Sequence, residues 1–140
     1  MKPIILETTY WKVELNNYDQ TNLGRSYVTA KRDVGSMSDL SQEEWLDFGE
    51  VVKKLESACT RAFGATMFNW TCLMNLAYQN DPPNPHVHWH FRPRYKSSVS
   101  FASETFEDHA FGKHYERGTE RKVSDEMATN ITLAIKNHLS

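Results

Sequence analysis

The sequence predicts an α+β domain, an antiparallel β-sheet with two main helices. Residues 10–15, 26–31 and 86–91 alternate between apolar and polar side chains, as half-buried strands do. Two other segments carry apolar residues at three- and four-residue spacing behind a serine that can cap a helix. Strands come first, one helix is inserted and another comes last, an order that favours an antiparallel sheet.

The first two strands are predicted to pair as a hairpin. Residues 10–15 alternate loosely, and the pattern resumes at 26–31. The connection between them is rich in residues that favour turns. These are Asn16, Asn17, Asp19, Asn22 and Gly24.

A long helix is predicted to begin after Ser41. Ser41 and Glu44 form a capping-box pattern, in which each side chain satisfies a backbone N–H of the other residue. Gly64 is a natural helix terminator. The apolar stripe between them consists of Trp45, Phe48, Val52, Leu55, Cys59 and Ala62.

The second half of the chain adds two strands and a helix. Residues 66–78 are rich in β-formers and predict a long central strand, and the proline-rich stretch 80–85 predicts a loop. That loop would return the chain to 86–91, antiparallel to 66–78. The pattern weakens after Tyr95, until Ser124 can cap a last helix. The stripe of this helix is Met127, Ile131, Ala134, Ile135 and Leu139.

Composition limits the class of protein. The 140 residues are enough for one domain, spanning 1–140, and 24% charged with 39% hydrophobic residues is ordinary for a globular protein. A formal net charge of −2 argues against nucleic acid or an acidic membrane as a partner. Cys59 and Cys72 lack the spacing of a metal or redox motif, so we expect reduced thiols and a cytoplasmic protein.

Three histidines indicate the chemistry. His86, His88 and His90 occupy alternate positions, with Val87, Trp89 and Phe91 at the positions between them. Successive side chains of a strand point to opposite faces, so the imidazoles share one face and the apolar side chains can enter a core. Histidine exchanges protons near neutral pH and is a good nucleophile toward phosphorus. We therefore expect this face to be an acid/base or nucleophilic site.

The spacing of His86, His88 and His90, with Pro93-Arg94 after it, resembles the histidine triad family. The resemblance implies an antiparallel α+β fold, a homodimer and a nucleotide hydrolase or transferase acting at an α-phosphate. It assigns the nucleophile to His88, which would form a nucleotidyl-histidine intermediate. His86 and His90 would orient His88 and stabilise charge on the phosphate.

Other positions extend the resemblance over roughly residues 10–96. Asn75, eleven residues before His86, matches a position near the phosphate, and Asn17, eight before Arg25, matches one that contacts the ribose hydroxyls. Arg92 departs from the apolar end of the motif. It should share the histidine face and could hold a polyphosphate, whereas Arg94 and Lys96 are expected to be solvated charges at the strand end.

Two further departures concern substrate handling. Many active members carry a fourth histidine after an early glycine, but here Gly24 is followed by Arg25. Some members have Ser or Thr three residues before the triad, and this chain has Pro83. An arginine can hold a phosphate but does not shuttle protons. These changes leave open an alternative, a nucleotide-binding module with little or no turnover.

A metal site is the third hypothesis. His-x-His on a strand is a known zinc arrangement, and His109 and His114 could complete a tetrahedron. Neither a nearby carboxylate nor a cysteine pair supports that arrangement. We therefore expect no metal and no cofactor, and a small nucleotide as the partner.

Overall fold

The structure is a computed structural model that describes residues 3–140. Its strands, in chain order, are β1 (Ile4–Glu7), β2 (Trp11–Leu15), β3 (Ser26–Ala30), β4 (Met67–Thr71), β5 (His88–Arg94), β6 (Val99–Phe101) and β7 (Glu104–Phe106). The two main helices are α1 (Gln42–Phe63) and α2 (Asp125–Lys136). Short 3₁₀ helices lie at Met37–Asp39 and Asn75–Gln79.

A five-stranded antiparallel sheet organises the fold, which confirms the predicted α+β class. Its strand order is β1-β2-β3-β5-β4, so the histidine strand β5 lies between β3 and β4. The predicted hairpin is β2 with β3, whose register aligns Trp11 with Ala30. Strand β1 was not predicted, because only Ile5 in it is buried and four residues give little alternation.

Helix α1 has the capping box that the sequence predicted. The Ser41 hydroxyl accepts from the Glu44 N–H at 3.1 Å, and the Glu44 carboxylate accepts from the Ser41 N–H at 2.8 Å. Gly64 ends the helix with a φ of 75°, a left-handed conformation that suits glycine. The buried face is rotated from the predicted stripe, since Trp45 is exposed. Its members are Val51, Leu55, Ala58, Cys59 and Phe63.

The prediction of one long central strand at 66–78 was wrong. Strand β4 stops at Thr71 and lies at the edge of the sheet, and the chain then forms the 3₁₀ helix Asn75–Gln79. Leu76 is 76% exposed and Tyr78 63% exposed. Cys72 and Met74 still pack against the core, but the exposure of Leu76 ends the buried face that the alternation suggested.

The prediction that Arg94 is solvated was also wrong, because its side chain is buried. Its guanidinium makes five hydrogen bonds, which equals its number of N–H donors. Two go to the Asp108 carboxylate and one each to the Asn69 side chain and to the backbone carbonyls of Ala110 and Lys113. This network ties the end of β5 to residues 108–113.

The last helix begins where predicted, with the Ser124 hydroxyl accepting from the Met127 N–H. Met127, Ile131 and Ile135 enter the core, which continues between the sheet and α1. Within residues 3–140, neither helix is long and apolar enough to cross a membrane.

Candidate active site

Strand β5 is fixed in the sheet by its apolar side. Val87 and Phe91 are fully buried, and Trp89 stacks on Phe48 of α1 with ring centroids 4.9 Å apart. The alternation of a strand then turns His88 and His90 to the opposite face. His86 lies just before the strand, and the backbone N–H of Ala30 binds the neighbouring Val87 carbonyl.

The ring of His88 is oriented by the backbone. Its Nδ1 atom lies 2.8 Å from the carbonyl oxygen of His86. A carbonyl can only accept, so Nδ1 carries the proton and the Nε2 of a neutral ring keeps its lone pair. His88 is therefore held in the tautomer that a nucleophile requires.

His86 is held by the neighbouring strand. Its Nε2 lies 2.6 Å from the backbone carbonyl oxygen of Ala30. By the same reasoning Nε2 is the donor in this bond. Asp33 is 3.9 Å from the other ring nitrogen, but its side chain is almost fully exposed and the contact is weak.

His90 is the most perturbed of the three. Burial lowers its pKa to about 4, and the neighbouring His88, Arg25 and Arg92 act in the same direction. Its ring packs edge-on against Tyr27, with centroids 5.4 Å apart, and lies 5.1 Å from the ring of His88. His90 is therefore neutral near pH 7 and contributes no positive charge.

The first of three clefts lies beside His86 and His88 and has a volume of about 360 Å³. Asn17 lines it, so the structure brings this residue beside the histidines. The preceding Asn16 fixes the turn, since its side chain donates to the Tyr27 hydroxyl and accepts from the Tyr18 N–H. The other lining residues are Glu14, Leu15, Asn16, Tyr18, Tyr27 and Thr29.

A second cleft, of about 540 Å³, is lined by all three histidines and by Asn75. The strand predicted for Asn75 was wrong, because this residue reaches the cleft from the 3₁₀ helix Asn75–Gln79. Its side chain still lies beside the histidines, as the prediction required. Asn84 also lines the cleft, whereas its neighbour Pro83 is exposed and is not part of the lining.

The third cleft continues beyond His90 and has a volume of about 250 Å³. Arg25 and Arg92 both line it, so Arg92 shares the histidine face as predicted. Arg25 is ion-paired with Asp19. Burial of Asp19 alone would raise its pKa. The net pKa is nevertheless lowered, because Thr21 and Arg121 donate hydrogen bonds to the carboxylate and Arg25 lies beside it.

Arg92 is held by two residues that sequence reasoning missed. Its Nη1 donates to the Asn22 side chain at 2.8 Å, and its guanidinium carbon lies 3.7 Å from the centre of the Tyr115 ring. Burial lowers the pKa of Arg92 to about 10, and the neighbouring charge of Arg25 adds to this effect. Asn22 looked like a turn former, and Tyr115 lies in a segment with no periodic pattern.

Solved structures with similar folds have the same architecture. A histidine triad protein from Sinorhizobium meliloti superposes with a TM-score of 0.74 at 14% identity, covering 98% of this chain and 89% of its own. A hypothetical histidine triad nucleotide-binding protein from Sulfolobus tokodaii superposes with a TM-score of 0.68 at 14% identity, covering 99% of this chain and 84% of its own. A diadenosine triphosphate hydrolase from Plasmodium falciparum superposes with a TM-score of 0.67 at 18% identity, covering 98% of this chain and 76% of its own.

This chain has the histidine triad fold. At these identities the likeness establishes the fold alone. No protein-family model and no curated protein matches the sequence.

The two histidines proposed to complete a metal site do not lie at the triad. Among residues 3–140, no group of three or more His, Cys, Asp or Glu side chains is arranged to hold a metal ion. His109 and His114, which were to complete the tetrahedron, are exposed and line clefts other than the three at the triad.

Proposed function

We propose that this chain is a histidine triad nucleotide hydrolase or transferase, in which His88 attacks the α-phosphate of a nucleoside phosphate derivative. The observation that carries the proposal is the contact between His88 Nδ1 and the His86 carbonyl oxygen. It leaves Nε2 as the free nucleophilic atom on a face lined by clefts. The histidine triad fold supports the same chemistry.

Two displacements complete the reaction. The Nε2 lone pair of His88 forms a bond to the α-phosphorus, and the bond from phosphorus to the leaving group breaks with its electron pair going to the leaving group. Water then attacks the same phosphorus, and the phosphorus–nitrogen bond breaks to return the lone pair to His88. The products are the leaving group, a nucleoside monophosphate and a proton.

The clefts around His88 suggest roles for the other residues. Asn17 would hold the ribose hydroxyls in the first cleft, and Asn75 would contact the phosphate from the second. His86 would keep its position through the Ala30 carbonyl and fix the carbonyl that orients His88. His90, being neutral, would donate a hydrogen bond to a phosphate oxygen rather than a charge.

The alternative is a nucleotide-binding module with little or no turnover. It is favoured by Arg25 and Pro83, which stand where the histidine triad resemblance expects a proton-handling histidine and a hydroxyl. Under this alternative the clefts would capture a nucleotide without cleaving it.

We also propose that the chain forms a homodimer. Strand β4 lies at the edge of the five-stranded sheet, so among residues 3–140 no strand pairs with its outer side, and Met67 on it is partly exposed. Trp45 and Leu46 on α1 are exposed as well. Sedimentation of the purified chain should give the mass of two copies, and a strictly monomeric species would contradict the proposal.

Release of AMP decides between turnover and binding. Wild-type protein and the His88→Ala variant are incubated with diadenosine tetraphosphate and with adenosine 5′-phosphoramidate, and AMP binding is measured in parallel. We expect His88→Ala to lower the rate by roughly a thousandfold or more, since removing a nucleophile removes the covalent route. His109→Ala, an exposed histidine outside the triad clefts, is the matched control. Full activity in His88→Ala would refute the mechanism, and AMP binding without turnover in wild type would favour the alternative.

A further inference from the structure

Three arginines of this chain are buried or nearly so, and their hydrogen bonding differs. Arg94 is satisfied by protein, with five hydrogen bonds to Asp108, Asn69 and two backbone carbonyls. Such a guanidinium has no donor left for a ligand. Its role is to hold the fold together.

Arg25 and Arg92 are only partly satisfied. The Asp19 carboxylate accepts a hydrogen bond from Nη1 of Arg25. The Nε of Arg25 is buried and has no hydrogen-bond partner among residues 3–140. Arg92 donates one hydrogen bond, to Asn22, and its flat face stacks on Tyr115. Stacking orients a guanidinium while leaving donors on its edge available. Both arginines line the cleft beyond His90.

The buried charges of this cleft do not balance. Two guanidiniums face one buried carboxylate, Asp19, and the neutral His90 adds no charge. Glu116, Arg117 and Glu120 also line the cleft, but they are exposed at its rim, where water screens them. The interior of the cleft therefore carries an excess positive charge that an anion would neutralise.

The position of the cleft identifies which part of a substrate would enter it. Arg92 lies two residues beyond His90 on the same face of β5, and His88 lies two residues before His90. Alternate residues of a strand are roughly 6.5 Å apart, so Arg92 lies roughly 13 Å along the strand from His88 and away from the phosphate that His88 attacks. The nucleoside side of His88, with Asn17, is a different cleft.

We propose that Arg25 and Arg92 form a leaving-group subsite that selects nucleotides whose leaving group itself carries phosphate. The inference rests on the proposed function and names its substrate class. When the bond between the α-phosphorus and the bridging oxygen breaks, the electron pair stays on that oxygen and the leaving group departs as a polyphosphate anion. Two guanidiniums stabilise that charge without transferring a proton. An amine leaving group, by contrast, must gain a proton as it departs.

The test compares two substrates that share the AMP half. Diadenosine tetraphosphate releases a phosphate-bearing group, and adenosine 5′-phosphoramidate releases ammonia. We expect Arg25→Gln and Arg92→Gln each to lower kcat/KM for the tetraphosphate by about ten- to a hundredfold, the worth of a charge-assisted hydrogen bond. The kcat/KM for the phosphoramidate should change by less than about threefold, well below the effect of one such hydrogen bond. Lys53→Gln removes one exposed positive charge on α1 and should leave kcat/KM for both substrates unchanged. An equal loss for both substrates would overturn the inference.

Binding of tripolyphosphate, measured by calorimetry, separates this inference from the proposed function. The probe represents the leaving group alone, so its binding requires no chemistry at His88. We expect His88→Ala to bind it like wild type, and the Arg25→Gln/Arg92→Gln protein to lose binding while its thermal unfolding stays cooperative. If no substrate released AMP, the proposed function would fail, and tripolyphosphate binding that depends on both arginines would still support the subsite. Binding that is the same with and without the two arginines would overturn it.

Discussion

The Nδ1 atom of His88 lies 2.8 Å from the backbone carbonyl oxygen of His86, two residues earlier in the chain. The acceptor is the backbone of His86, just before β5, so no side chain is needed to supply it. It explains why the motif places its histidines so close together, because the backbone of the first residue orients the ring of the second.

The first prediction concerns the tautomer of His88. In protein labelled with ¹⁵N-histidine at mildly alkaline pH, His88 should show a protonated Nδ1 and an unprotonated Nε2, because the carbonyl of His86 accepts only from Nδ1. Free histidine in the same buffer serves as the reference and should show the mixture of tautomers typical of an unconstrained imidazole. A protonated Nε2 on neutral His88 would remove the nucleophile from the proposed mechanism.

The second prediction concerns the pH dependence of His90. Its pKa of about 4 in the folded protein lies below the ordinary value of 6.5, so the unfolded chain takes up this proton first as the pH falls. Stability contributed by the neutral ring is therefore complete above about pH 6.5 and declines between about pH 6.5 and pH 4.

Histidine NMR and chemical unfolding measure this directly. The His90 ring should stay neutral down to about pH 4, and His90→Asn should flatten the fall in the free energy of unfolding over the same range. An ordinary titration of His90 near pH 6.5 would show that burial and the two arginines do not act on it as described.

The third prediction concerns Arg94. Replacing it by methionine leaves the buried Asp108 carboxylate without its cation, and losing one partner of a buried ion pair typically costs about 3–5 kcal/mol. Urea unfolding should show a loss of this size. Lys96→Gln, an exposed change two residues later, should stay within about 0.5 kcal/mol of wild type. Equal stabilities of the two variants would mean that the Arg94 network contributes little.

The fourth prediction concerns Asn17. If it holds the ribose hydroxyls, Asn17→Ala should weaken AMP binding by about three- to thirtyfold, the range expected for one or two hydrogen bonds. A 2′,3′-dideoxy analogue of AMP should bind wild type and Asn17→Ala equally, because it has no hydroxyl to lose. Calorimetry with both ligands checks this. A variant that loses affinity for both ligands alike would place Asn17 away from the ribose.

Local signals predicted the parts of the fold that depend on neighbouring residues. The capping box of Ser41 and Glu44, the terminator Gly64 and the cap Ser124 are each decided within a few residues, and the structure confirms all of them. The alternation at 86–91 predicted the shared face of the histidines for the same reason. In contrast, 66–78 alternates as a strand does, but nothing local reveals that the chain leaves the sheet after Thr71 and forms a 3₁₀ helix.

The arginines could not be distinguished from the sequence, because their partners are distant in the chain. Arg94 pairs with Asp108 and Arg92 contacts Asn22 and Tyr115, and tertiary folding brings each of these residues to the strand. In the sequence, Arg92 and Arg94 are simply two positive charges that follow the histidine motif. Only the hydrogen bonds show that Arg94 is satisfied by the protein, whereas Arg92 donates a single hydrogen bond to Asn22.

The most direct test is to detect the nucleotide on His88. Wild-type protein is mixed with diadenosine tetraphosphate, quenched into alkaline denaturant within a single turnover and digested for mass spectrometry. We expect the peptide that contains His88 to carry one AMP group, and the His88→Ala protein to carry none. AMP release by wild type with the group on another residue, or on no residue within that first turnover, would contradict nucleotidyl transfer at His88.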